Sequence, residues 1–530
     1  MISVKQLNLV IHGTEILQDV SFDIKQGQIF GLVGESGSGK SMTALALMQL
    51  LPDGSETNGQ VWVDRDDVLT LSEAKMCALC GNEIGMIFQE PMTALNPVKT
   101  IGHQVAETLL IHGKASKSEA VKIARQMLDR VGLPADQFPS SRFPHELSGG
   151  QRQRVCIAMA IAMRPKLLIA DEPTTALDVT TQAQILELLQ ELVVEQNMSL
   201  LLITHDLAVV AEMADYVAVM QAGKLVEQGQ TKQLFTNMTH PYTKQLFAAS
   251  SHQPDRDGEV QETPILQVTG AIREYAAPRT KLFGRPAPYR AVNDVSFKLM
   301  RGESLGLVGE SGCGKSTLTR AILGLDPLQG GEILLSGEPV LAGQHMPTHL
   351  RQKVQVVFQD PYGSFNPRHK VQRLVLEPFH LTNTPDNPRE HVAEALENVG
   401  MTADAMDRYI HEFSGGQRQR IAIARALILH PDLIVLDEAV SALDVSIRAQ
   451  ILDLLADLQT RLGLSYLFIS HDLTVVQAIT DRVLVMQAGR IVEQGKTDTI
   501  FTNPKHPYTQ QLLNAAPQIP HGWQEEKHAR

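Results

Sequence analysis

Hydrophobic positions along this chain fall into two rhythms. Short apolar runs (IFGLVG from Ile29, LLIAD ending at Asp171, LLLITHD from Leu200) alternate with longer segments of helical period such as TTQAQILELLQELVVEQ, residues 180–196. Alternation of strand-like and helix-like segments predicts an α/β fold built on a mainly parallel, doubly wound sheet. The opening MISVKQLNLVIHG alternates like a strand and lacks the unbroken apolar core of a signal peptide. The longest apolar candidates, such as Leu200 to Thr204, break within a few residues, whereas a bilayer span needs about 20. No independent membrane insertion is expected.

The pattern occurs twice. GLVGESGSGKS from Gly31 returns as GLVGESGCGKS from Gly306, LSGGQRQR from Leu147 as FSGGQRQR from Phe413, and VMQAGKLVEQG from Val219 as VMQAGRIVEQG from Val485. The shift is 275 residues from Lys40 to Lys315 and 270 from Gln89 to Gln359. It then stays at 266 for Ser148/Ser414, Asp171/Asp437, His205/His471 and Tyr242/Tyr508. Length differences confined to the early part of each copy are what surface connections absorb. The expected organisation is one domain over residues 1–251, a polar, charged linker over 252–263, and a second domain over 264–530, where PILQVTG restarts the strand pattern.

Composition narrows the class. A chain of 530 residues with 43% hydrophobic content can build real cores, and its net charge of −12 argues against a nucleic-acid partner. Four cysteines suit no disulfide framework and fit a reducing compartment.

The first chemistry is a phosphate cradle. Gly34, Glu35, Ser36, Gly37, Ser38, Gly39, Lys40 and Ser41 match G-x-x-x-x-G-K-[ST], and so do Gly309, Glu310, Ser311, Gly312, Cys313, Gly314, Lys315 and Ser316. Glycines let backbone N–H groups curl around phosphate oxygens, and the helix that follows offers its positive end. Lys40 and Lys315 would reach the terminal phosphates, the Ser41 and Ser316 hydroxyls would ligate Mg2+, and Met42 and Thr317 continue the binding segment. One such match could be an ordinary glycine-rich turn; two in register, each after an apolar run, are not. Asp171-Glu172 and Asp437-Glu438 then end apolar strands, where ligands gather in a parallel sheet. The first carboxylate of each pair can hold Mg2+ through water and the second can polarise the attacking water.

Between cradle and acidic strand, both copies carry SGGQ: Ser148, Gly149, Gly150, Gln151 and Ser414, Gly415, Gly416, Gln417. With this signature the chain resembles ABC transporter ATPases over essentially its whole length. The resemblance implies two tandem nucleotide-binding domains, each with a mainly parallel sheet core, an antiparallel β subdomain and a helical signature subdomain. It also implies ATP and Mg2+ as cofactors. Gln89 and Gln359 would be Q-loop glutamines touching Mg2+, His205 and His471 switch histidines, and Ala176-Leu177-Asp178 and Ala442-Leu443-Asp444 D-loops. In the family each signature completes the ATP site of the facing domain. One site would join Lys40, Asp171, Glu172 and His205 to Ser414 and Gly416; the other would join Lys315, Asp437, Glu438 and His471 to Ser148 and Gly150. Every catalytic group is kept in both, so both are expected to hydrolyse ATP.

The copies depart from the pattern in places. Tyr289 stands where the family has an aromatic that stacks on adenine; its counterpart is Thr14, which cannot stack, with His12 close by. Ala439 replaces the proline found at Pro173. Cys77 and Cys80 form a C-x-x-C with no second pair and no equivalent in the second copy, so a structural role is expected and no iron–sulfur cluster.

Each copy ends alike, in FTNMTHPYTKQL with His240, Pro241 and Tyr242, and in FTNPKHPYTQQL with His506, Pro507 and Tyr508. This element, FQEPMTALNP from Phe88, FQDPYGSFNP from Phe358, and an insertion AAPRTKLFGRPAP before Tyr289 resemble dipeptide, oligopeptide and nickel import ATPases. The chain is similar to a fusion of two such subunits, as in glutathione and microcin C importers. The expected partners are two transmembrane permease subunits and, through them, a substrate-binding protein, with this chain peripheral on the cytoplasmic face of a bacterial inner membrane. The segments between Gln89 and Ser148, and between Gln359 and Ser414, would receive the permeases. The alternative, a tandem ABC translation factor on ribosomes, is expected to carry a long charged linker that this chain lacks.

Overall fold

Strand Ile29–Val33 is buried at every position, as are Leu167–Asp171 and Ser199–Thr204. Continuous burial is the mark of a sheet covered on both faces. A computed structural model of the protein describes residues 2–175, 177–256, 258, 260–276, 287–360, 363–382, 385–441, 443–520 and 523. The chain divides into two units: Met1–Leu177 with Thr181–Ser250 and Pro517–Arg530, and Asp178–Thr180 with Ser251–Ala516.

In the first unit a six-stranded sheet runs Lys224–Gln230, Tyr216–Gln221, Ile29–Val33, Ser199–Thr204, Leu167–Asp171, Ile84–Ile87. All neighbours are parallel except the edge hairpin of Tyr216–Gln221 with Lys224–Gln230. A four-stranded antiparallel sheet, order Thr14–Ile24, Ile2–Ile11, Ser55–Val63, Asp66–Asp67, packs one face onto this core through Ile2, Val4, Leu7, Leu9, Leu17, Val20 and Phe22. A helical layer holds Ile101–Ile111, Lys117–Arg130 and Gly149–Ile161. Its starts are written locally: the Thr100 side chain caps the first helix, and Ser116 with Glu119 forms a capping box on the second.

The second unit repeats the plan. Its six-stranded sheet runs Arg490–Lys496, Arg482–Gln487, Ser304–Val308, Ser465–Ile469, Leu433–Asp437, Val354–Val357, and its antiparallel sheet Tyr289–Met300, Pro264–Tyr275, Gly330–Leu335, Glu338–Pro339. The helical layer differs: Val371–Val375 stands where the first unit has the longer Ile101–Ile111, followed by Pro388–Asn398 and Gly415–Leu427. Within this unit His252 bonds Asp453 at 2.6 Å, and Arg256 grips both oxygens of Asp481 at 2.8 and 2.9 Å.

The architecture is the α/β arrangement expected, with parallel core, antiparallel subdomain and helical layer in each unit. Ala176 and Ala442 of the D-loop triplets, residues 277–286 of the insertion before Tyr289, and residues 361–362 of the segment after Phe358 lie outside the described residues. Among the described residues no helix is long and apolar enough to cross a membrane.

Candidate functional site

Each phosphate loop links a buried central strand to a short helix, Ile29–Val33 to Lys40–Leu47 and Ser304–Val308 to Lys315–Ile322. The first loop glycines, Gly34 and Gly309, have φ of 155° and 151°, and a Cβ there would lie 2.2 Å from the carbonyl oxygens of Met220 and Met486. Only glycine fits so close a backbone crossing. Lys40 Nζ folds back onto the carbonyls of Gly34 (2.8 Å) and Glu35 (2.9 Å); Lys315 does the same to Gly309 (2.6 Å) and Glu310 (2.9 Å). Ser36 and Gly37, and likewise Ser311 and Gly312, face solvent at the loop crest, while Gly39 and Gly314 precede the helices in left-handed conformation. Met42 and Thr317 are half-buried in the first turn, with Met42 packed on the apolar core.

The acidic residues arrive from the next strands but one. Ser41 Oγ donates to Asp171 Oδ1 at 3.1 Å, joining helix start and strand end. Ser316 and Asp437 occupy the same positions in the second unit. Glu172 and Glu438 follow in left-handed backbone, φ 48° and 53°, with their N–H groups donating to the carbonyls of Ile203 and Ile469 at 2.8 Å. A non-glycine residue held there stores about 1–3 kcal/mol of strain. Glu172 Oε2 accepts from Gln89 Nε2 and from Thr175 Oγ1, each at 2.9 Å, and Oε1 lies 3.3 Å from His205 Nδ1. His471 Nδ1 stands at the same 3.3 Å from Glu438 Oε1; Gln359, like Gln89, is exposed.

These contacts split each carboxylate pair. Burial pushes the Asp171 and Asp437 carboxyls up, and the neighbouring glutamate adds to it, against the Ser41 hydrogen bond and Lys40 at Asp171 and against Lys315 at Asp437. Burial also raises Glu172, but His205, Thr175 and Lys40 outweigh it and hold it down at about 2. Glu438 is lowered in the same way by His471 and Lys315. Each glutamate is therefore charged beside a histidine at the end of the central strands.

The signature segments begin helices Gly149–Ile161 and Gly415–Leu427. Ser148 and Ser414 are the N-caps, accepting from the Gln151 and Gln417 N–H groups at 3.3 and 3.4 Å while each glutamine side chain accepts from the serine N–H at 2.9 and 3.0 Å. The two glycines differ. A Cβ at Gly150 would meet Thr181 Cγ2 at 2.3 Å, and one at Gly416 would meet Ile447 Cγ2 at 2.4 Å, whereas Gly149 and Gly415 face nearly open space. The serine, the first glycine and the free N–H groups of the first turn make an exposed anion-binding end in each unit.

Tyr289 opens strand Tyr289–Met300 with its ring 56% exposed, two residues before Ala291, whose carbonyl abuts Gly314. Thr14 opens the matching strand, and the His12 ring packs on Gly54.

Cys77 is exposed and all four cysteines are free thiols. Burial and the nearby Cys77 push the Cys80 thiol up to about 11, and burial pushes Cys156 up to about 12. Alkylation of the folded protein at pH 8 is expected to label Cys77 and leave Cys156 untouched until the chain unfolds. Mass-spectrometric detection of early label on Cys156 would contradict this packing.

Two contacts carry no motif of their own. The Glu35 N–H donates to Tyr242 Oη at 3.2 Å, and the Glu310 N–H donates to Tyr508 Oη at 2.9 Å. The signal available in the sequence was the H-P-Y-T element repeated at a fixed offset; its proximity to the phosphate loop was not.

The fold and site define a P-loop ATPase with two cassettes. The ABC transporter family profile matches residues 17–175 and 292–441, and that of the oligopeptide/dipeptide transporter C-terminal region matches 226–268 and 492–530. The chain belongs to the ABC transporter family, as an ATP-binding protein whose ATPase activity is coupled to transport. It is 48% identical to the glutathione import ATP-binding protein GsiA of Salmonella choleraesuis strain SC-B67, across 98% of this chain and 89% of that one. To the protein of the same name from Escherichia coli strain K12 it is 47% identical, across 94% and 86%. Among solved structures, cbiO1 from Clostridium perfringens, part of the ABC transporter complex cbiONQ, matches 46% of this chain and 92% of its own at 29% identity and a TM-score of 0.41.

Proposed function

We propose that this chain hydrolyses ATP to energise the import of peptides or peptide-like cargo through two transmembrane permease subunits served by a substrate-binding protein, acting peripherally on the cytoplasmic face of a bacterial inner membrane. The observation that carries this reading is the pairing of a complete phosphate loop, acidic strand and histidine with an H-P-Y-T element in both copies. Resemblance to the oligopeptide/dipeptide transporter C-terminal region and to glutathione import proteins supports the cargo class. The domains assigned are 1–251 and 264–530, joined by 252–263.

The residues fit the cofactors. The loop crests at Ser36–Gly37 and Ser311–Gly312 are open to solvent, and a Cβ built at Gly37 or Gly312 would meet nothing within 4 Å, which leaves room for phosphate oxygens. Ser41, Asp171 and Gln89, with Ser316, Asp437 and Gln359 in the second copy, offer only hard oxygen donors, the set Mg2+ prefers. Bound MgATP supplies the phosphoanhydride and neutralises charge on it. Lys40 and Lys315 place ammonium groups on the loops, and Ser148 to Gln151 and Ser414 to Gln417 offer anion-binding helix starts. Glu172 and Glu438 orient and deprotonate the attacking water, with His205 and His471 fixing each carboxylate.

Purification of the tagged protein from its native host in mild detergent tests this reading. Two polytopic membrane proteins in equal amounts are expected beside it. Ribosomal proteins with no membrane partner would overturn the proposal and move the ATPase to translation.

A further inference from the structure

We propose that Tyr242 and Tyr508 are positioning residues of the phosphate loops, fixing one peptide plane in each loop from the C-terminal extension. This rests on reading the loops as ATP sites. The plane in question joins Gly34 to Glu35. Its carbonyl is held by Lys40 Nζ at 2.8 Å, and its N–H by Tyr242 Oη at 3.2 Å. In the second unit the Gly309–Glu310 plane is held by Lys315 at 2.6 Å and by Tyr508 at 2.9 Å. The tyrosine and the lysine thus grip opposite ends of one amide.

That amide needs a grip. Gly34 and Gly309 sit at φ 155° and 151° with no Cβ to limit rotation, so the plane can turn once either end is released. Turning it would move the carbonyl on which the lysine rests and change the curl of the N–H groups that follow. Both phenols are buried, at 6% and 4% exposure, so water does not readily replace the tyrosine oxygen. Burial also pushes the Tyr508 phenol up to about 12, keeping it neutral.

The tyrosines are themselves anchored. The Glu227 carboxylate accepts from the Thr239 N–H (2.7 Å) and the His240 N–H (3.3 Å), and His240 Nδ1 accepts from the Tyr242 N–H (3.3 Å). Glu493 accepts from the N–H groups of Lys505 (2.8 Å) and His506 (3.1 Å), and His506 Nδ1 from that of Tyr508 (3.2 Å). Meanwhile the Gly223 N–H donates to the Ser38 carbonyl at 2.9 Å, and the Gly489 N–H to the Cys313 carbonyl at 2.8 Å. The repeated VMQAG-x-x-VEQG hairpin therefore holds the loop at one end and the H-P-Y-T helix at the other. In this arrangement the histidine caps, the proline starts the helix and the tyrosine reaches the loop, which gives the first three letters of the element a physical task.

The test is the full-length Tyr242→Phe, Tyr508→Phe double variant, which keeps both rings and removes both oxygens. MgATP binding at equilibrium, steady-state ATPase and the thermal midpoint of the nucleotide-free protein are measured beside wild type. The expected result is a KM and Kd for MgATP raised roughly tenfold, the size of one lost buried hydrogen bond, with kcat within about threefold and a midpoint lowered by no more than about 5 °C, the cost of that bond to a domain of this size. Wild-type KM and Kd in the variant would overturn the proposal, as would a fall in kcat alone or a larger fall in the midpoint, which marks a packing role. If wild type itself neither binds nor hydrolyses MgATP, the reading of the loops as ATP sites fails instead, and this inference with it.

Discussion

Glu172→Gln combined with Glu438→Gln is expected to lower ATP turnover by about 10²–10⁴, the usual contribution of a general base, while MgATP binding persists. The substitution is isosteric and leaves the left-handed backbone at both positions in place. What it removes is the negative oxygen beside His205 and His471, each 3.3 Å away. Glutamine can still accept from Gln89 and Thr175, so the local packing survives and the loss falls on proton transfer. Phosphate-release assays beside equilibrium binding separate the two. Near-normal turnover in the double variant would remove both glutamates from the catalytic role.

The second large effect concerns two glycines of one loop that the sequence motif treats differently and the structure explains. A Cβ on Gly314 would stand 2.1 Å from the carbonyl oxygen of Ala291 and 2.8 Å from Met486 Cε, at φ 113°. Relief requires moving the strand or the start of the helix that carries Lys315 and Ser316. Gly312→Ala meets nothing within 4 Å and carries only left-handed strain, about 1–2 kcal/mol. Gly314→Ala is therefore expected to abolish MgATP binding at the second loop, reducing the bound stoichiometry from two to one per chain, while Gly312→Ala keeps both sites with at most about a 30-fold weaker second one. Calorimetric titration measures this, and equal losses in the two variants would refute the steric account.

Much of this arrangement was written locally. A strand, a glycine loop and a helix are contiguous in each cradle, so the motif and its context could be read together. Fully buried strands show as unbroken apolar runs, and a duplicated chain reports its own repeat through fixed offsets. The capping serines Ser148 and Ser414 sit three residues before the glutamines they pair with, a spacing any reader of the sequence can see.

Tertiary structure decided the rest, because hydrogen bonds between distant segments depend on strand order, which no local pattern encodes. Insertion of Ser199–Thr204 between Ile29–Val33 and Leu167–Asp171 brings Glu172 to His205, and the pairing of Ile84–Ile87 with Leu167–Asp171 brings Gln89 to Glu172 across 83 residues. The left-handed turn at each glutamate is imposed by that setting and not by the residue. The His12 ring on Gly54 is likewise a consequence of packing that no motif foretold. The sequence alone determined two cradles, two acidic strands and two H-P-Y-T elements. Only the folded chain placed a tyrosine 207 residues downstream against the first loop and one 198 residues downstream against the second, because the hairpin that carries each element pairs beside the strand that carries each loop.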